Sequence, residues 1–442
     1  MTYGVSDDSN LISDINLIVS LATDKNIIKD RVKANLKEVA RDRLVMISMG
    51  KSAQLMAEAV IEAGLTIEGG VIVVPRGTKR RITHDAVEYI ESSHPIPDES
   101  SLRAGSSVLE WAKASKSKGT SLIVLVSGGG SALVEVPVEP VSLDDLKETT
   151  RLLLASGASI HEMNAVRKHI SSIKGGRLAE AAYPSKLLAL YASDVPGDRL
   201  DTIASGPTVP DPTTYRDAIN VLENYNIMDQ APERVIKVLE EGANGLRPET
   251  PKPGSSIFRY VSNKLIAANI DVLNRIKETL ESRGYNVLIL TSRLEGESRD
   301  AGRVLASITM EAIDRGIPLN TPFAIIVGGE TTVTLKDYNG VGGRNQELAL
   351  SWALSMRYWG YDSHAAIAAL DTDGIDGYSD AAGAYIVPSM LEQAYRDNID
   401  PMEELKRHNS YRVFQALGTL IKTGPTEVNL NSVVVILSRR GV

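Results

Sequence analysis

The chain has 442 residues, 43 % hydrophobic and 24 % charged, a balance that excludes a wholly disordered chain and makes two domains the natural expectation. Its 48 basic and 56 acidic residues leave a net charge of −8, which argues against a general nucleic-acid or anionic-membrane binder. Cysteine is absent, so disulfides, thiolate catalysis and zinc–thiolate sites are excluded.

The N-terminus, MTYGVSDDSN, has neither a basic region nor an apolar stretch of signal-peptide length, and no segment approaches the roughly 20 apolar residues of a membrane helix. A cytoplasmic protein is therefore expected. Short apolar runs then alternate with amphipathic stretches. Residues 44–48 (LVMIS), 70–75 (GVIVVP), 122–126 (LIVLV) and 187–191 (LLALY) are expected strands. Continuous apolar runs of this length suit parallel strands covered on both faces. Helices are expected over 52–63, 99–113, 143–155 and 162–173, an alternation that reads as βαβ. The stretch 242–256 (GANGLRPETPKPGSS) is rich in Pro and Gly and is expected to link two domains. Beyond it the pattern restarts. Strands are expected at 259–262, 287–291, 323–327, 331–335, 365–370 and 433–437, with helices at 264–282, 297–315 and 345–358. The expected fold is two α/β domains with mostly parallel sheets flanked by helices and a ligand site in the cleft between them.

Candidate chemistry lies in the loops after strands. The first strand ends in Met49-Gly50-Lys51-Ser52. A P-loop is rejected because Val45 stands where the motif needs glycine, which leaves Lys51 at a strand-to-helix turn, a place that favours anions. A solvated loop lysine would look the same. After LIVLV comes Ser127-Gly128-Gly129-Gly130-Ser131, where backbone N–H groups can approach phosphate oxygens. Leu133 occupies the last glycine of the dinucleotide fingerprint, and no G-x-S-x-G elbow occurs in the chain. Asn164, Arg167 and Lys168 share one helical face that invites an anionic ligand, although a solvated surface fits too. Asp194 ends the strand LLALY and can take a hydroxyl proton, hold a metal or cap a turn. The segment Gly206-Pro207-Thr208 follows.

In the second half, Glu330 follows FAIIVGG, and Arg344-Asn345-Gln346 follows a Gly-rich loop and opens a helix, a pattern resembling an anion clamp. The run Asp371-Thr372-Asp373-Gly374-Ile375-Asp376-Gly377 fails as an EF-hand, yet its carboxylates, Asp371 first, could approach a nucleotide-bound Mg2+. The six histidines show no ligand spacing and are read as structural or surface residues.

Taken together, these segments resemble the class II glycerate kinases, the glycerate 2-kinase family with a C-terminal MOFRL-type domain. The resemblance rests on SGGGSALVEVP from Ser127, NAVRKHIS from Asn164, KGGRLA from Lys174 and SDVPGD from Ser193. It continues through IASGPTVPDPTT from Ile203, GGETTV from Gly328, GGRNQELAL from Gly342, DTDGIDG from Asp371 and TGPT from Thr423. One departure is the tail, where the family usually reads TGPTGTNVND and this chain has Glu427-Val428-Asn429-Leu430-Asn431 after Thr426.

The resemblance implies a Rossmann-like first domain over residues 1–245 and a MOFRL-type domain over 256–442. It implies phosphoryl transfer from ATP to the 2-hydroxyl of D-glycerate, with Mg2+ or another divalent cation, giving 2-phosphoglycerate and ADP. Lys51, Asp194 and Arg344 fall on the positions that the family's pattern marks as catalytic. Ser127 to Ser131, Asn164, Arg167, Lys168, Gly206, Pro207, Thr208, Glu330, Asn345 and Gln346 are then expected to bind substrate or nucleotide, and Asp194 and Asp371 the metal. No nucleic-acid or membrane partner is expected; the oligomeric state is open, a homodimer being one option. Two rivals stand beside this reading. An NAD(P)H-dependent hydroxypyruvate/glycerate oxidoreductase requires a G-x-G-x-x-G turn with an acidic residue about 20 residues on, and none is found. A non-catalytic nucleotide- or sugar-binding module would have no need of Lys51, Asp194 and Arg344.

Overall fold

The structure, a computed structural model, describes residues 5–335, 340–362 and 365–439, with side chains from residue 11 onward except those of residues 117 and 118. It divides into two compact units. One is Ile28–Ala267; the other runs from Ala268 onward and includes the residues up to Ile27. The Pro- and Gly-rich stretch expected to be the linker lies inside the first unit. The chain after it returns as one more strand of the first sheet, hydrogen-bonded from its edge, and this contact fixes the crossing point at residue 267.

The first unit is built on six strands: β1 (Leu44–Met49), β2 (Ile67–Pro75), β3 (Val87–Ser92), β4 (Ser121–Val126), β5 (Leu187–Ala192) and β6 (Val261–Ala267). All are parallel, in the order β3-β2-β1-β4-β5-β6. β1 and β5 are buried along their whole lengths, as their continuous apolar runs require. One edge strand, β3, escaped the sequence reading, and the other, β6, expected at 259–262, runs instead from Val261 to Ala267. β3 (VEYIES) alternates buried and exposed positions, and β6 (VSNKLIA) is half-exposed over its first five residues, so neither shows an apolar run. The helix expected from residue 264 consequently begins at Asn269. A separate helical core packs Leu146, Leu153, Val166, Leu222 and Leu239 of the helices Leu143–Ala155, Ile160–His169, Tyr215–Asn224 and Glu233–Ala243.

The second unit carries β7 (Asn286–Leu294), β8 (Phe323–Gly329), β9 (Ala366–Asp371), β10 (Gly383–Ile386), β11 (Leu420–Ile421) and β12 (Ser432–Ser438), in the order β11-β10-β9-β12-β8-β7. Here the expectation of mostly parallel strands fails. Only β7 and β8 pair in parallel, because β12 inserts antiparallel between β8 and β9. β8, β9 and β12 are buried throughout, and an apolar run buried on both faces carries no mark of strand direction. The expected strand 331–335 is also missing. Its β-branched residues find no partner strand, and Thr332 forms only an isolated bridge to Glu297. No described helix is long and apolar enough to cross a membrane.

Candidate active site

The order 3-2-1-4-5-6 places the topological switch between β1 and β4, where ligands bind outside the carboxyl ends of the strands. The two loops that the sequence singled out leave this point side by side. The Lys51 amide donates to the Gly128 carbonyl at 2.9 Å, and the Ser127 amide to the Met49 carbonyl at 3.0 Å. The buried Ser127 hydroxyl accepts from the Ser52 amide at 3.0 Å, so Ser127 braces the lysine turn from within. Gly50 has φ 119°, and a Cβ there would overlap Ser127, which explains the glycine before the lysine. Gly129 is also left-handed, at φ 82°. A Cβ on it would meet His94 Nε2 at 3.2 Å and Lys51 Cγ at 3.5 Å. His94, two residues beyond β3, thus belongs to this corner, although no ligand spacing in the sequence announced it. Asp194 follows β5, the neighbour of β4, in a half-buried turn held by the Ser193 hydroxyl on Val195 and the Asp198 amide on the Val195 carbonyl.

The basic helix Ile160–His169 opens with a capping box between Ser159 and Glu162, and its last turn carries Arg167 and Lys168, cations that suit the negative end of its dipole. Its expected anion-binding face is only partly available. Lys168 is buried and lies 3.4 Å from Asp211 and 3.6 Å from Asp201, so its charge is already neutralised. Lys174, also buried, is paired with the buried Glu135, which accepts a further hydrogen bond from Ser171 at 2.5 Å. Burial pulls the Lys174 ammonium down to about 8, with Glu135 opposing the shift. His169 is structural: its Nδ1 lies 2.6 Å from the Ala165 carbonyl and its Nε2 3.2 Å from Glu249.

The segment before Gly206 is strained. Ala204, Ser205 and Gly206 are all left-handed, at φ 49°, 58° and 62°, and two of the three carry a Cβ. The strain delivers the Ser205 hydroxyl between Ser131 at 2.8 Å and Asn164 Oδ1 at 2.9 Å. Pro207 and Thr208 act structurally. The Pro207 carbonyl accepts from the Leu178 amide, and the Thr208 hydroxyl lies 2.6 Å from both Tyr191 Oη and Asn263 Oδ1.

In the second unit, Arg344 begins the helix Arg344–Tyr358. Its guanidinium donates to Glu330 at 2.7 Å, to Asp371 and, through Nε, to Ser432 at 3.3 Å. Burial alone would lower its pKa, but the fields of Asp371 and Glu330 outweigh it and raise it. Asp371 is 2 % exposed and engaged by Arg344 and Ser432, so its carboxylate is a counter-ion here rather than an open metal ligand. Asn345 and Gln346 likewise turn inward. Both backbone amides and both side-chain amides donate to the buried Asp376, at 2.9 to 3.2 Å. Asp376 therefore caps the helix from outside. A Cβ on Gly343 would overlap it, which accounts for that glycine. The tail closes over the same loop, with Thr372 and Asn431 joined backbone to backbone and the Thr426 hydroxyl on the Thr372 carbonyl.

Comparison with known proteins now adds to this geometry. Residues 15–240 match the profile of a domain of unknown function, DUF4147, and residues 323–432 that of the MOFRL family. A glycerate 2-kinase of Pyrococcus horikoshii is 43 % identical over 91 % of this chain and 89 % of its own. The crystal structure of a glycerate kinase from Thermotoga maritima superposes with a TM-score of 0.87 at 39 % identity, covering 97 % of this chain and all of that one. The chain belongs to the glycerate kinase family with a MOFRL C-terminal domain. The family also includes a protein of Agrobacterium vitis provisionally named a hydroxypyruvate reductase, 42 % identical over 92 % of this chain and 90 % of its own. Against the usual family tail, Glu427 stands where glycine is expected, and its φ is 65°.

Proposed function

We propose that the protein transfers the γ-phosphoryl group of ATP to the 2-hydroxyl of D-glycerate, releasing 2-phospho-D-glycerate and ADP. The observation that carries this reading is the meeting of Lys51 with the Gly128–Gly130 turn at the switch point of the first sheet. A cation beside the main-chain amides of a Gly-rich turn is what a transferring phosphoryl group needs, since such catalysis rests on positioning and charge more than on covalent chemistry. In this reading Lys51 and Arg344 supply positive charge, and Asp194 orients or deprotonates the acceptor hydroxyl. ATP enters with its divalent cation as one substrate. Among the described residues no group of three or more His, Asp or Glu side chains is gathered for a metal, which suits a cation coordinated chiefly by phosphates.

The name of the Agrobacterium relative keeps hydroxypyruvate reduction in view. A dinucleotide site of the usual kind places the pyrophosphate at the N-terminus of a full helix after the Gly-rich turn. Here the turn leads into only Gly130–Leu133, four residues long. The deciding experiment incubates the purified protein with ATP, Mg2+ and D-glycerate and follows ADP, beside NAD(P)H oxidation with hydroxypyruvate. Glycerate-dependent ADP release with 2-phosphoglycerate as product is expected. NAD(P)H oxidation without ADP release would replace the reading, and 3-phosphoglycerate as product would overturn its regiochemistry.

A further inference from the structure

The buried polar cluster behind Ser131 contains two donors that the protein leaves unused. Asn164 is 3 % exposed, and its Oδ1 is held by the Ser205 hydroxyl, itself 2.8 Å from Ser131. That arrangement fixes the amide plane and leaves Asn164 Nδ2 without a hydrogen-bond partner. Three residues on along the same helix, Arg167 Nε is also buried and unpartnered, while another of its nitrogens reaches the Ser131 carbonyl only at 3.4 Å. Buried donors left unmatched in this way are rare in folded proteins and call for an explanation such as a ligand.

The charges around them define that ligand. Lys168 is matched by Asp211 and Lys174 by Glu135, whereas Arg167 has no carboxylate within ion-pair distance among the described residues. A single guanidinium with no carboxylate in contact, held only in the field of Glu135, presents a planar fork whose one charge matches one carboxylate. Position agrees. Ser131 follows the Gly-rich turn after β4, and Asp194 lies two residues beyond the end of the adjacent β5. In glycerate the carboxylate is bonded to the carbon bearing the 2-hydroxyl, so its receptor must lie close to the group that handles that hydroxyl.

We infer that Arg167 and Asn164 form the receptor for the carboxylate of the acceptor, with Ser205 and Ser131 as positioning residues that orient Asn164. The inference rests on the phosphoryl-transfer reading above for the identity of the acceptor. It makes the protein selective for short 2-hydroxy acids over uncharged polyols, because a polyol would leave the guanidinium buried without an anion.

The test uses Arg167→Met, Arg167→Lys and Asn164→Ala in the full chain, each checked for wild-type circular dichroism. Steady-state kinetics are measured against D-glycerate and MgATP separately, and the thermal shift induced by D-glycerate alone is read without turnover. Arg167→Met is expected to raise KM for glycerate by roughly 30-fold or more, the scale for truncating one partner of a desolvated charge pair. KM for ATP should stay within about 2-fold of wild type by the same reasoning, and the glycerate-induced thermal shift should vanish. Arg167→Lys keeps the charge without the fork and should fall between; it carries the test together with Asn164→Ala if the Met variant does not fold. A rise in KM for ATP with glycerate binding unchanged would overturn the inference and give these donors to a nucleotide phosphate. Wild-type protein that binds glycerate through Arg167 but forms no ADP would sink the kinase reading and leave the carboxylate receptor standing.

Discussion

Replacing Asp376 by alanine removes the acceptor for four N–H groups at the start of the helix that carries Arg344. The side-chain amides have alternatives, since Asn345 Nδ2 also lies 3.1 Å from the Ser432 hydroxyl and Gln346 Nε2 3.0 Å from the Ser379 hydroxyl. The backbone amides of Asn345 and Gln346 have none and would be left buried. At about 1–2 kcal/mol for each orphaned donor, the loss is roughly 3 kcal/mol. In a unit of this size about 1 kcal/mol moves Tm by roughly 2–4 °C, so Asp376→Ala should lower Tm by roughly 6–12 °C. Asp376→Asn keeps one oxygen acceptor and should lose about half as much. Scanning calorimetry gives the measurement, followed by glycerate-dependent ADP release at a temperature where both variants are folded. Activity should fall as well, because the cap sets the direction of the first turn and with it the Arg344 side chain. A Tm for Asp376→Ala within about 2 °C of wild type would refute the capping argument, on the same scale of donor loss.

Three further outcomes are expected. Lys51→Ala and Arg344→Lys should each lower kcat/KM for glycerate phosphorylation by roughly 10²-fold or more while retaining the fold, as steady-state assays would show; Arg344 is changed to Lys because alanine would leave the buried Asp371 without its counter-ion. Burial raises the pKa of Glu249, but hydrogen bonds from His169, Lys252 and the Tyr215 amide outweigh it and hold the pKa at about 2, below its ordinary 4.5. Its stabilisation is therefore complete above about pH 4.5 and is lost as pH falls towards 2, and after allowance for solvent screening Glu249→Gln should flatten acid unfolding in that window by about 1 kcal/mol. Glu427→Gly should leave Tm unchanged or raise it, the gain in stability being about 1 kcal/mol at most, because it places glycine at φ 65°; a clear drop in Tm would show that the Glu427 side chain outweighs its backbone strain.

How much was legible in the sequence differs between the two sheets for a physical reason. β1, β4 and β5 are six-residue strands apolar except at Ser48 and Ser121, lying between helical patterns, and local composition alone identifies them. The edge strand β3, by contrast, keeps polar residues on its open face, and its strand character comes from pairing with β2. The direction of β12 was out of reach, because it depends on which strands flank it and not on its own residues.

The same division runs through the candidate site. Sequence by itself determined where chemistry could sit, because a lysine after a buried strand, three successive glycines and a Gly-rich loop before an arginine are local features. It also determined that the Gly-rich turn is no ordinary dinucleotide site, since Leu133 stands at the last glycine position. Only the tertiary structure decided which charges are available. Lys168, Asp371 and Asp376 look alike in the sequence as groups able to bind an ion. Folding gives Lys168 to Asp211, Asp371 to Arg344 and Asp376 to the first turn of a helix, while Asn164 and Arg167 keep donors without a partner. A charge is seen in the chain as a residue type. Its availability depends on what lies within about 4 Å of it, because desolvation and pairing at that distance outweigh its intrinsic chemistry, and its partners at that distance come from remote parts of the chain.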